Sequence, residues 1–507
     1  MRRLPVLAAL LLAAVPAAPA ATRAQDGDAP MSPAFLRAME PMVPRESAAP
    51  RVVTTRHHVR LAGRKLAYKA IVTELPMPGA DGAPVAMGVS YAYVAETKAD
   101  AASRPVVFVF NGGPGASSSP LHMEAFGPRR MAGQGDAARL EDNPHSLLDV
   151  ADLVFIDPVG TGASMPLKDR DASAYWGVGG DARGVSAMIE AWLQANGRTA
   201  SPRVLVGESY GTSRALAILN EDAKAGKPLP DGVVLLSLAI GDADGPVLSD
   251  AVHLPTFAAV AWYHEAIDRG GRTVAEHYAR ALAFAQTEYA SALMRGPALS
   301  DAERRQVAER MSALIGIPAS TIAAKNLRLD NYDFMLALLA EKGLRTGQLD
   351  GRATRAIAQS KLRPPFDDPS MSLGTGSRDG IERYLKDELG YALPSPYRSL
   401  NLGINFRWNW DKEYGGSYRA TSFAPYLKAA MDAKPTLKVF AAGGYYDITT
   451  PVYAGQFALE QAGVPTDRVT YARYAAGHSV FEDEGELAKL SSDLHRFVTG
   501  LSTRPTQ

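Results

Sequence analysis

The 507-residue chain contains no cysteine. That excludes a thiol nucleophile, a thiolate metal site and a disulfide framework, and leaves stability to the buried core that a chain of this length can build. It lacks a charge bias as well: 54 basic and 54 acidic side chains balance. No basic excess therefore points to nucleic acid or to an anionic membrane surface. No internal repeat is present. The apolar run near the start, "LPVLAALLLAAVPAAPA" from Leu4, is broken by Pro16 and Pro19 and is too short to span a bilayer. It follows Arg2 and Arg3 and leads into small residues ending at Ala24, the pattern of a cleaved export signal. Residues 1–24 are thus expected to be a signal peptide, with no membrane insertion after cleavage and a periplasmic or extracellular destination.

What is present falls into blocks. Residues 25–48 are rich in Ala, Pro and Asp and read as a flexible arm. From 49 to 248 two alternating runs, suited to antiparallel strands, give way to short apolar runs separated by helical stretches: "PVVFVF", "ADLVFID", "RVLVGES" and "GVVLLSLAIGD". Between 249 and 405 the strand signal disappears and helical periods dominate. From 406 to 507 two further runs, "LKVFAAGG" and "VTYARYAAG", resume the pattern. Buried strands alternating with helices predict an α/β fold with a mostly parallel central sheet. The helical block is expected to be a cap inserted into it.

One loop lacks what a phosphate cradle needs. In "VVFVFNGGPGASSSP", Val106–Pro120, Gly115 is followed by Ala116, and no lysine follows the loop until Lys168. Ser117, Ser118 and Ser119 have no strand–turn–helix setting and are expected to cap the next helix or satisfy the loop. Such a setting does surround Ser209. "VLVGESYGTSRALAIL" runs from a strand through Gly207-Glu208-Ser209-Tyr210-Gly211 into a helix. Gly-x-Ser-x-Gly in that context is a nucleophile elbow, a tight turn that exposes the serine oxygen at the end of a strand. A serine nucleophile requires a base, and the base an orienting carboxylate. Asp447 stands just past "LKVFAAGG", and His478 just past "VTYARYAAG". The chain order Ser209, Asp447, His478 is that of an α/β-hydrolase. Of the other eight histidines, His122 is the nearest competitor because it follows the glycine loop. His57 and His58 alternate faces of a strand, and His264 and His277 fall in cap helices.

"NGGPGASSS", "NPHS", "DPVGTGAS", "GESYG", "AIGDADG", "GGYYDITTP" and "GHSVF" occur in the order seen in the serine carboxypeptidase family, which the chain resembles over roughly residues 60 to 500. The resemblance implies Ser209 as nucleophile, His478 as general acid–base and Asp447 as its partner. It implies the amides of Gly113 and Tyr210 as the oxyanion hole, and Asn111, Gly112 and Glu208 as the holders of the substrate's terminal carboxylate. Glu208 could donate to a carboxylate only when protonated, which favours acidic pH. Neither a metal nor a cofactor is implied.

The family pattern is not complete. Its second glutamate, fourteen residues after the asparagine of the glycine loop, is Ala125 here, and Glu124 is one residue away. On an α-helix that offset turns a side chain by about 100°, so Glu124 is expected to miss the site. The usual methionine after the histidine is Ser479. Trp408 and Trp410 either line the cleft or pack between cap and core. The expected function is an exported peptidase that releases C-terminal residues of peptide substrates through an acyl-enzyme. The alternative keeps the triad in an esterase, acyltransferase or other serine hydrolase without carboxylate recognition. A non-catalytic binding protein on the same scaffold is disfavoured by the complete triad.

Overall fold

The computed structural model describes residues 33–97, 100–132, 139–241, 245–359, 368–371, 380–411, 414–416 and 421–502. The export signal at 1–24 and most of the cap stretch beginning at Lys361 lie outside the described residues. Among the described residues fourteen strands follow one another: β1 (Val52–Leu61), β2 (Arg64–Pro78), β3 (Pro84–Ala95), β4 (Val106–Phe110), β5 (Arg129–Ala132), β6 (Arg139–Asp142), β7 (Asp152–Asp157), β8 (Met165–Pro166), β9 (Arg203–Glu208), β10 (Gly232–Leu236), β11 (Leu344–Thr346), β12 (Thr354–Ala356), β13 (Lys438–Gly444) and β14 (Val469–Tyr474). The main sheet has the order β1-β2-β3-β7-β4-β9-β10-β13-β14, with β8 paired to β3.

Burial explains where direction changes. β4, β7, β9 and β10 are buried at every residue and pair in parallel, as sheets covered on both faces do. At the edge, β1 alternates exposed with more buried residues and pairs antiparallel with β2. The period of two sorts each central strand between two cores. Val107, Val109, Leu153 and Phe155 join the core beneath the terminal helix Glu484–Ser502. Phe108, Phe110, Val154 and Ile156 join the one beneath helices Val178–Ala195 and Tyr210–Lys224.

A third core belongs to the cap. Helices Pro246–Tyr263, Val274–Phe284 and Asp301–Ile315 pack on one another and on Tyr446, Ile448, Val452 and Tyr453. The cap thus rests on the turn that carries Asp447. Its block is not purely helical, since it holds the β11–β12 hairpin. Nor does all of it sit on top: Ile381, Tyr384, Tyr391 and Tyr397 are fully buried in the hydrolase core. The arm also departs from expectation in its described part. Residues Pro33–Met39 form a helix, Arg398 donates to the carbonyls of Arg37 and Pro41, and buried Arg45 pairs with Glu74 at 3.0 Å. That ion pair and the backbone bond from Arg45 to Pro166 at 2.9 Å hold this stretch against the body. Among the described residues no helix is long and apolar enough to cross a membrane.

Candidate active site

Ser209 sits between β9 and the helix Tyr210–Lys224 with φ 57° and ψ −129°, a conformation that a non-glycine residue holds only under constraint. The turn is tight enough that a Cβ on Gly207 would lie 2.2 Å from the carbonyl oxygen of Gly211. The side chain of Ser209 is half-buried, makes no hydrogen bond among the described residues, and lines a pocket of about 370 Å³ that it shares with His478.

Asp447 is fully buried. Its Oδ1 accepts from the amides of Thr449 and Thr450, both at 2.9 Å. Its Oδ2 accepts from Thr450 Oγ1 and lies 2.8 Å from His478 Nδ1. Burial pulls the His478 imidazole down, while Asp447 foremost, then Glu208 and Glu482, push it up to about 9. The cap fixes this corner through backbone. The carbonyl of Leu349 accepts from the His478 amide at 2.7 Å, and that of Gln348 accepts from Ile448 at 3.0 Å.

The glycine loop closes on the elbow from the other side. Gly112 packs so closely that a Cβ there would lie 2.4 Å from the Tyr210 amide nitrogen. Neither the Gly113 nor the Tyr210 amide has an acceptor among the described residues, and both residues border a cleft of about 1020 Å³ with Ser209. Arg214, 1% exposed, binds the loop from beneath: its Nε donates to Asp181 at 2.6 Å and its Nη1 to the Asn111 carbonyl. Sequence reasoning missed Arg214. Its signal was its place four residues after Tyr210, on the same helix face.

The serines satisfy the loop, and Ser117 Oγ also accepts from the Ser119 amide at 3.2 Å where the next helix begins. Ser118 donates from both N and Oγ to Asp157 Oδ1, at 2.9 and 2.8 Å, while Ser117 and Ser119 face each other at 2.9 Å. Asp157, buried in the "DPVGTGAS" stretch, also accepts from Tyr91 and Tyr397. His122 is excluded as the base. It is buried against Phe155 with its Nε2 on the Tyr93 hydroxyl at 2.6 Å, and burial pushes its pKa down to about 3. Trp408 is 9% exposed, both Trp408 and Trp410 pack edge-on against Tyr210, and Trp410 also lines the larger cleft.

The other wall of the smaller pocket holds Asn111, Gly112, Glu124, Glu208, Ser479 and Glu482. Asn111 Nδ2 donates to Glu208 Oε2, and Ser479 Oγ donates to Glu208 Oε1 at 3.1 Å. Burial raises the Glu208 pKa. The expectation that Glu124 misses the site is overturned. Leu121–Phe126 is a π-helical turn, closed by the Gly127 amide on the His122 carbonyl at 3.0 Å. An i→i+5 turn does not keep the α-helical period, so the offset of about 100° on which that expectation rested does not apply here. Ala125 enters the hydrophobic core, and Glu124 enters the pocket. Burial first, then Glu482 and Glu208, push its pKa up to about 8. Among the described residues no cluster of three or more His, Asp or Glu is placed to hold a metal ion.

Strand order, elbow and the Asp447–His478 pair define a serine hydrolase of the α/β-hydrolase fold. Kex1, a prohormone-processing carboxypeptidase from Saccharomyces cerevisiae, has a similar structure: TM-score 0.51 and 14% identity, over 85% of this chain and 91% of that one. A proline iminopeptidase from Mycobacterium smegmatis matches with TM-score 0.36 and 13% identity, over 88% and 99% of the two chains. A carboxyl esterase from Bacillus coagulans matches with TM-score 0.36 and 14% identity, over 85% and 99%. The family model described as serine carboxypeptidase matches residues 89–387. The chain belongs to the serine carboxypeptidase family. Ser209 and Glu208 lie within that match, while Asp447 and His478 lie beyond it and are brought to Ser209 by the fold.

Proposed function

We propose that this chain is an exported carboxypeptidase that releases C-terminal residues from peptides through an acyl-enzyme on Ser209. The carrying observation is that Asn111, Glu124 and Glu208 line the pocket that also holds Ser209 and His478. Export rests on the leader at residues 1–24.

In this reading Ser209 Oγ attacks the carbonyl carbon of the last peptide bond while His478 Nε2 takes its proton. Asp447 holds the imidazole through Nδ1 and stabilises its charged form. The Gly113 and Tyr210 amides receive the tetrahedral oxyanion. Cleavage of the C–N bond returns the proton from His478 to the leaving amine. Water then repeats the sequence on the ester, with His478 again taking and returning the proton, and Ser209 is restored. The terminal carboxylate of the leaving residue sits against Asn111 and the protonated side chains of Glu124 and Glu208. Burial favours those neutral forms, and a neutral carboxyl can donate where a carboxylate would repel.

The test compares an unblocked peptide with its C-terminally amidated twin, at about pH 5 and about pH 8. The expected result is trimming of the free peptide only, faster at the lower pH. Equal processing of the two would remove carboxylate recognition, and ester turnover without trimming would favour the esterase or acyltransferase reading.

A further inference from the structure

Two cavities meet at Ser209, the cleft of about 1020 Å³ and the leaving-group pocket of about 370 Å³. Among the described residues four border both: Gly113, Ser209, Asn405 and Thr449. With the acyl half of a peptide in the cleft and the leaving residue in the pocket, the scissile bond lies where these four converge. Ser209 is the nucleophile and Gly113 an oxyanion donor. Thr449 belongs to the base. Its amide donates to Asp447 Oδ1 at 2.9 Å, and its Oγ1 is buried, turned away from substrate.

Asn405 comes from the glycine-loop side. It ends the short helix Leu402–Asn405, which is tied to the loop from both ends. The Asn401 amide donates to the Gly115 carbonyl at 2.8 Å, and Asn405 Nδ2 donates to the Pro114 carbonyl at 3.0 Å. The two backbones touch, so a Cβ on Gly115 would lie 2.4 Å from the Asn401 carbonyl oxygen. With Nδ2 committed to Pro114, the side chain has its acceptor oxygen to offer. Oδ1 has no partner among the described residues, and the half-buried side chain borders both cavities.

The chemistry of the bond says what that oxygen meets. When the tetrahedral intermediate collapses, the C–N bond breaks and the nitrogen takes the proton that His478 Nε2 carries. The nitrogen lone pair therefore faces His478, and the N–H already on that nitrogen faces away from it. His478 stands on the Asp447 side of the junction, held there at 2.8 Å. Asn405 stands on the other side, anchored to the loop.

We propose that Asn405 Oδ1 accepts a hydrogen bond from the N–H of the scissile peptide bond and so makes the site favour peptides over esters. This rests on the reading of peptide cleavage at Ser209. The contact holds the nitrogen with its lone pair toward His478, and no proton passes to Asn405. An ester has no such hydrogen. Its oxygen meets Oδ1 as one acceptor meets another, and a site built to bind an N–H discriminates against the analogue that lacks it.

The test compares kcat/KM for an N-blocked dipeptide and for its depsipeptide twin, in which an ester oxygen replaces the scissile N–H and the terminal carboxylate is kept. Asn405→Ala should lower both values, because the Pro114 anchor is lost. It should also lower the peptide-to-ester ratio by about tenfold, the worth of one hydrogen bond. Asn405→Leu, similar in size and without an acceptor, carries the same expectation should the alanine variant not fold. Asn405→Asp loses the anchor and keeps an acceptor, so its ratio should stay near that of wild type. A ratio unmoved by Asn405→Ala and Asn405→Leu, or lowered equally by Asn405→Asp, overturns the assignment and leaves Asn405 an anchor of the loop. Ester turnover with no peptide turnover in wild type overturns the reading of peptide cleavage, and this assignment with it.

Discussion

On one side of the pocket, Asp447 accepts from two backbone amides, a threonine hydroxyl and His478. On the other, Glu124 and Glu482 line the wall without any partner among the described residues. The turn that holds the base is satisfied before substrate arrives, as a preorganised site for acyl transfer requires. The leaving-group side is left unsatisfied, so substrate finishes it. Rate should therefore be lost for every substrate by damage on the first side, and for particular C-termini by damage on the second.

The largest break is Ser209→Ala, expected to lower kcat by roughly 10⁵- to 10⁶-fold on ester and peptide alike. Active-site labelling with an organophosphonate, lost in the variant, checks it directly. Asp447→Asn should cost about 10⁴-fold, again on both substrates, because the amide favours the wrong imidazole tautomer. Gly112→Ala inserts a Cβ 2.4 Å from the Tyr210 nitrogen and so spreads the two oxyanion donors apart. A fall in kcat of about 10²- to 10³-fold is expected, with circular dichroism and a melting curve to show that the variant still folds.

The smaller effects belong to the clamp. Glu124→Ala should raise KM for free peptides about tenfold, the worth of one hydrogen bond to a charged group, and do far less to amidated ones. Glutamates with raised pKa values donate while protonated, and that ability is lost as pH rises through the folded value, about 8 for Glu124. The free-to-amidated ratio should therefore fall across that range in wild type. In Glu124→Gln the fall should flatten, because the amide donates at every pH. A ratio that is flat in wild type would break the contrast between the two sides.

The same contrast governs what could be read from the sequence. The elbow, the strand-end positions of Asp447 and His478 and the apolar strands of the sheet were legible because each depends on local spacing. Glu124 was not, because a helical reading assumes the α-period and the π-turn at Leu121–Phe126 abandons it. Arg214 and Leu349 were missed for another reason. Each meets a backbone atom far away in the sequence, the Arg214 guanidinium the Asn111 carbonyl and the Leu349 carbonyl the His478 amide, and residue type does not say which backbone atom will be met. The boundary at 405 blurred because "insertion" describes the chain and not the packing: Tyr391 and Tyr397 follow the cap helices in sequence yet sit in the main core.

The bonds from Leu349 and Gln348 to the two triad turns also bind the parts of the site together. In the folded protein the turns that carry Asp447 and His478 rest on cap backbone, which serves them as a jig. A shortened chain that ends before Asp447 carries a nucleophile without a base. Exchanging the cap for that of a relative would then change the seat of the base along with the shape of the cleft, so cap and base turn are best transplanted as one part.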